Sequence, residues 1–166
     1  MGTASPPLPP APVDPRLDQP TRAFVSWHEG ERLVGCIGTL APERPLRHAV
    51  RHYAVQAGLH DHRTPMPRPE DLPGLHCEIS VLDAPRPMAE EGLPAITAAI
   101  VPGRDGLVLR DGPRQAVFLP VVWEALPTAD RFVDALCRKA GIDARARAPF
   151  VRAERFGAEV FEDDHD

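Results

Sequence analysis

The residue best placed for chemistry is Cys36, within Leu33-Val34-Gly35-Cys36-Ile37-Gly38-Thr39-Leu40. Val34, Ile37 and Leu40 supply β-prone bulk, while glycines flank the thiol. Glycine inside a strand marks a bulge or a close approach by another backbone or a ligand. Gly35, Gly38 and the Thr39 hydroxyl are therefore candidate ligand-binding positions around a candidate nucleophile. A thiol acts as a nucleophile only as thiolate, which needs a neighbouring cation, base or helix N-terminus. His76 and Glu78 are the candidate partners. Strand alternation in His76-Cys-Glu-Ile-Ser-Val-Leu-Asp83 sets His76, Glu78 and Ser80 on one face and Cys77, Ile79 and Val81 on the other. An imidazole base oriented by a carboxylate is a standard acid/base pair. The competing readings are a small buried cysteine in a packed strand and a solvent-facing sheet surface.

Other constellations are weaker. His48 and His52 have i, i+4 spacing but lack the intervening glutamate of a zinc protease, so with Arg47 and Arg51 they read as a solvated basic face. His60-Asp61-His62 has ligand types suited to a metal, yet a polar surface loop is the better reading, and no metal or cofactor is assigned. Cys77 and Cys137 read as core.

The elements that must position these residues are mixed. Residues 23–28 read as a strand, with Glu29-Gly30 turning it into residues 32–39. That two-residue turn sets Ala23 opposite Cys36 and Val25 opposite Val34, so the thiol shares a face with Val25 and Trp27. Residues 45–57 form an amphipathic helix, with proline at its start, Gly58 past its end and a stripe of Leu46, Ala49, Val50, Tyr53 and Ala57. A short helix follows over 93–100. A hairpin at 106–119 turns at Asp111-Gly112, a short helix covers 120–126, and a helix capped by Thr128 ends at Gly141 with Phe132, Val133, Leu136 and Cys137 inward. Residues 151–161 read as a last strand. Hairpins without βαβ units indicate an α+β fold, a mainly antiparallel sheet flanked by short helices in a two-lobed single domain. Residues 1–21, with seven prolines in the first 20, read as a disordered tail. Residues 22–161 form the domain and 162–166 an acidic tail.

The totals narrow the function classes. A chain of 166 residues with 43% hydrophobic and 26% charged content suits one soluble domain with a sizeable core. A net charge of -5 argues against a nucleic-acid or anionic-membrane surface. Three widely spaced cysteines without a C-x-x-C pair fit a reducing cytoplasm. Lys139 is the one lysine among 19 basic residues. With many alanines and 21 prolines, that usage suggests a GC-rich bacterial genome.

The Cys36 octamer resembles the hallmark of the AMME syndrome candidate gene-1 protein family, called AmmeMemoRadiSam system protein A in prokaryotes. Further segments are similar to the family: Ala23-Phe-Val-Ser-Trp27, Glu78-Ile-Ser-Val-Leu82, Gly106-Leu-Val-Leu-Arg-Asp-Gly112, Phe118-Leu-Pro-Val-Val-Trp-Glu-Ala-Leu-Pro127 and Arg138-Lys-Ala-Gly141. The resemblance covers residues 22–161. It implies a two-lobed α+β fold whose Gly-Cys-Ile-Gly segment lines a cleft, and two partners, a radical S-adenosylmethionine enzyme and a dioxygenase-like protein. It carries no reaction with it. Val34 stands where the family usually has arginine, the proline-rich tail replaces an opening helix, and residues 143–149 replace a tryptophan-bearing segment. Two functions follow as expectations: a subunit of a modification system with Cys36 as reactive thiol, or a noncatalytic binding module in which the segment is structural.

Overall fold

The computed structural model describes residues 14–61 and 65–163. The expected tails fall mainly outside that range, at 1–13 and 164–166. Residues 14–21 are ordered against the domain: Asp14 caps a 3-10 turn at Pro15–Asp18, Asp18 pairs with Arg47 at 2.7 Å, and Pro20 bridges to Pro45.

The described residues form two compact units, one of those up to Ile79 together with 161–163 and one of residues 80–160. In the first, apolar alternation builds β1 (Arg22–Glu29) and β2 (Arg32–Thr39), an antiparallel hairpin. Its register differs from the expected one in two ways. Glu29 pairs with Arg32, so the turn is Gly30-Glu31, with Gly30 at φ 57°, a conformation that suits glycine. The ladder then skips Val34: His28 faces Leu33, while Trp27 faces Gly35. Val34 is the extra residue of a β-bulge, as glycine beside it allows. The combined shift is odd, so the faces reverse. Cys36 lies opposite Ser26, not Ala23, and Val25 lies opposite Ile37. The thiol therefore shares a face with Ser26 rather than with Val25 and Trp27.

The face bearing Val25 and Ile37 is covered by α1 (Leu46–Leu59), whose buried Ala49 and Tyr53 pack with Val25, Cys77 and Ile79. The helix does not stop before Gly58 but runs to a cap at His60, φ −130°. Gly58 ends nothing because it keeps helical geometry; the left-handed turn that makes glycine a terminator is missing. Next comes β3 (Leu75–Leu82), which carries the chain from the first unit into the second.

The second unit contains β4 (Arg86–Pro87), α2 (Leu93–Ala99), β5 (Gly106–Asp111), β6 (Arg114–Phe118), α3 (Ala129–Ala140), the single-turn α4 (Ala144–Arg147) and β7 (Arg152–Phe156). β8 (Ala158–Glu162) follows. Strand orders are β2-β1-β3-β8 in one sheet and β4-β7-β5-β6 in the other. The fold is thus α+β with antiparallel pairing, as the hairpins implied. Two expected boundaries move. Asp111 pairs with Arg114, placing the second hairpin's turn at Gly112-Pro113. The single strand expected over 151–161 breaks at Gly157, and its halves join different sheets. A Cβ on Gly157 would stand 2.7 Å from Asp83 Oδ2, so the break tolerates only glycine unless that carboxylate moves.

The core of the second unit gathers Ile96, Leu107, Leu109, Phe132 and Leu136. Phe132 stacks on Trp123 with centroids 3.9 Å apart and meets Phe118 edge-on at 5.3 Å. The stripe read from α3 is the buried one, and Cys137 is 2% exposed. Gly141 ends α3 at φ 69°, as expected, whereas Thr128 makes no side-chain capping bond.

Candidate functional site

Strand order and register assemble the candidate site within the first unit. β2 lies at the sheet edge, with β1 between it and β3. Side chains of directly paired strand residues project to the same face, so Cys36 and Ser26 stand together, on the side of the sheet opposite α1. His28, two residues along β1, points the same way. Its ring stacks on His76 of β3, centroids 5.4 Å apart and planes 19° from parallel. Glu78, two residues beyond His76, shares the face and is 8% exposed. Cys36, His76 and Glu78 therefore occupy one sheet face, and Glu78 is not the solvent-facing residue that alternation alone suggested.

The edge position determines how Cys36 is held. Its amide donates to Asp61 Oδ2 at 2.9 Å, from the loop after α1. An edge-strand amide otherwise has no ladder partner, and a carboxylate acceptor makes this a charge-assisted bond. With the amide turned outward, the Ser26–Cys36 pair is of the closer, non-hydrogen-bonded kind, Cα atoms about 4.5 Å apart.

The two framing glycines meet the chain's own backbone. A Cβ on Gly35 would stand 2.0 Å from the Ala57 carbonyl oxygen, near the end of α1. One on Gly38 would lie 2.3 Å from the Ala23 carbonyl oxygen and 2.4 Å from Cγ of Phe24. Thr39 pairs with Ala23 on the α1 side, and its hydroxyl accepts the Ala41 amide at 3.0 Å. It is thus on the other face from Cys36.

Three residues escaped the sequence reading of this site. Ser26 and His28 were hidden by the mistaken register, although their spacing on β1 is the spacing that alternation would have shown. Asp61 was visible only as a metal-ligand type, and His62 of that motif lies outside the described residues. His28 Nε2 is buried without a hydrogen-bond partner among the described residues, an arrangement that disfavours the protein unless something fills it. No cluster of three or more metal-ligating side chains occurs among the described residues.

Of the other thiols, Cys77 is half-buried, as Cys36 is, and Cys137 is buried. Burial, then the Asp163 and Glu78 carboxylates, push the Cys77 thiol up to about 11. Burial and Asp134 raise Cys137, with Arg138 opposing. Both stay protonated at neutral pH. On the α1 side, an apolar groove of about 550 Å³ is lined by Trp27, Val55, Leu59, Met66, Leu72 and Leu75. The Trp27 indole N–H donates to the Ala54 carbonyl at 2.8 Å, fixing the ring beneath it.

The α+β scaffold of two antiparallel sheets defines the class of protein, and the family follows from sequence. The chain matches the AMMECR1 family over residues 2–161 and belongs to it. A protein of Thermococcus gammatolerans is 34% identical, over 95% of this chain and 80% of its own length. One of Methanothermobacter thermautotrophicus is 33% identical, over 85% and 74% respectively. Among solved structures, the uncharacterized protein PH0010 of Pyrococcus horikoshii superposes with a TM-score of 0.86 at 28% identity, over 97% of this chain and 82% of that one. These relatives are archaeal, which overturns the inference of a bacterial source. Arginine-, alanine- and proline-rich usage reports GC-rich coding, and that does not separate the two domains of life. No described helix is long and apolar enough to cross a membrane.

Proposed function

We propose that the protein presents Cys36 as a reactive thiol within a multi-protein modification system, working beside a radical S-adenosylmethionine enzyme and a dioxygenase-like partner. The observation that supports the chemistry is the collection of Cys36, Ser26, His28, His76 and Glu78 on one sheet face. In this reading an imidazole of the stacked pair takes the thiol proton and Glu78 orients the imidazole. The thiolate bonds to an electrophilic substrate atom while the bond from that atom to its leaving group breaks, and the imidazolium returns the proton to the leaving group. Asp61 fixes the strand from the edge, so the thiol's position does not drift. The partners rest on family membership; a co-expressed radical enzyme that never co-elutes with the protein would remove that half of the proposal.

The test is Cys36 alkylation at pH 7 in the parent protein, His28→Gln and His76→Gln. A working base predicts a fall of about tenfold or more in at least one variant, with Cys77 unchanged. Equal rates in all three proteins would defeat the reading. A second reading, a noncatalytic binding module, is favoured by Gly35 and Gly38, whose missing side chains are already explained by Ala57, Ala23 and Phe24. It predicts an inert Cys36.

A further inference from the structure

In the second unit, β4 and β7 pair so that Arg86 stands directly opposite Arg155. Cross-strand neighbours on one face have Cβ atoms about 5 Å apart, and like charges set there repel. Neither guanidinium has a hydrogen bond or an ion pair within the described structure. Both line a pocket of about 160 Å³ together with Asp83, Ala84, Asp105, Phe156 and Gly157.

The two aspartates decide whether the arginines are already neutralised. Asp105 is 5% exposed and committed elsewhere: its carboxylate accepts from Arg104 Nε at 2.8 Å and from the Val101 amide at 2.9 Å. Burial pushes its carboxyl up, but those bonds and the charges of Arg104 and Arg155 outweigh burial and hold it below the usual range. Asp105 is bonded to Arg104 and attracts Arg155 only through space, so three guanidiniums, Arg86, Arg104 and Arg155, stand against two carboxylates, Asp83 and Asp105. Asp83 leans over Gly157, where any side chain would collide with it, and makes no ion pair with Arg86 or Arg155. The pocket therefore carries a surplus positive charge, and its small residues, Ala84 and Gly157, leave the space between the guanidiniums open.

We infer that this pocket binds a small oxyanion, a phosphate or carboxylate group held between Arg86 and Arg155. Guanidinium forks bind such groups through paired hydrogen bonds, and the anion relieves the repulsion that the strand pairing imposes. Asp83 opposes it and limits affinity.

The experiment titrates the intact protein with inorganic phosphate, and separately with acetate, at constant ionic strength, following the amide signals of Ala84, Phe156 and Gly157 by NMR. Saturable shifts are expected. Tighter response to phosphate would assign a phosphate-bearing ligand, and tighter response to acetate a carboxylate. Arg86→Gln and Arg155→Gln should each weaken binding by about tenfold or more, and Asp83→Asn should tighten it. Both arginines are exposed, so the variants keep the parent's spectrum outside the pocket. No saturation below about 10 mM, where site-specific contacts of this strength should register, overturns the inference, and so does saturation that both arginine variants leave unaltered.

Discussion

Replacing Asp61 by alanine removes the acceptor that holds the Cys36 amide at 2.9 Å. The amide lies on an edge strand, so no neighbouring strand replaces the carboxylate. Hydrogen bonds to charged groups contribute about 1.5–3 kcal/mol. For a chain of 166 residues, each kcal/mol shifts the midpoint by about 2–4 °C. Asp61→Ala should thus lower the melting temperature by roughly 3–12 °C. Asp61→Asn keeps a neutral acceptor and should lose about half as much. Thermal unfolding followed by circular dichroism gives the shift, and hydrogen exchange at the Cys36 amide locates it. The amide should exchange faster in the alanine variant than in the asparagine variant, while Leu107 and Leu109 in the second unit stay protected. If Asp61→Ala melts within about 1 °C of the parent and Cys36 exchange is unaltered, the edge bond does not hold the site and the reasoning fails.

Further predictions concern packing and charge. Gly35→Ala places a methyl 2.0 Å from the Ala57 carbonyl oxygen, a backbone atom that cannot swing away, and should destabilise by more than about 2 kcal/mol in denaturant titrations. Gly58→Ala is the contrast: its Cβ would lie 3.7 Å from the Trp27 indole inside a helix, so it should stabilise by about 0.5–1 kcal/mol. Arg147 donates to both Asp111 oxygens, at 2.8 and 2.7 Å, and these bonds outweigh burial to hold the carboxyl below its ordinary value. A lowered native value means that this stabilisation is complete above the unfolded carboxylate pKa of about 3.9 and is lost as pH falls through the native one. Asp111→Asn should therefore melt earlier than the parent at pH 7, with the gap closing below about pH 4.

Much of the fold was legible because the signals were local. The α3 stripe and its Gly141 terminator, the apolar face of α1 and the alternation of β3 each follow from residues a few positions apart. What failed was non-local or one residue wide. The Val34 bulge added one position to the β1–β2 ladder, and an odd shift moves every side chain to the other face. That error hid Ser26 and His28 and put Cys36 on the face of Val25 and Trp27, whereas the shared face of His76 and Glu78 depends on alternation within β3 alone and was legible. Gly58 looked like a stop because glycine is common past helix ends, yet only a left-handed conformation makes it one. Gly157 looked like an interior strand glycine, and its role in separating β7 from β8 depends on Asp83, distant in sequence. Asp61 likewise reaches Cys36 across 25 residues, and no sequence period reveals such a contact.

In the reading proposed above, Cys36 is chemically distinct from Cys77 and Cys137. The most direct test of that reading is the rate of iodoacetamide labelling at each cysteine across pH 6–10, read by peptide mass spectrometry on the folded protein. With Cys77 held at about 11, roughly one molecule in three thousand carries its thiolate at pH 7.5, so Cys77 should label slowly, and Cys137 with it. Cys36 should label at least about a thousandfold faster than Cys77 at that pH, beyond the few-hundredfold that an unshifted thiol near 8.5 would show. A Cys36 as slow as Cys77 and Cys137 would contradict that reading and leave the glycine-framed segment a structural one.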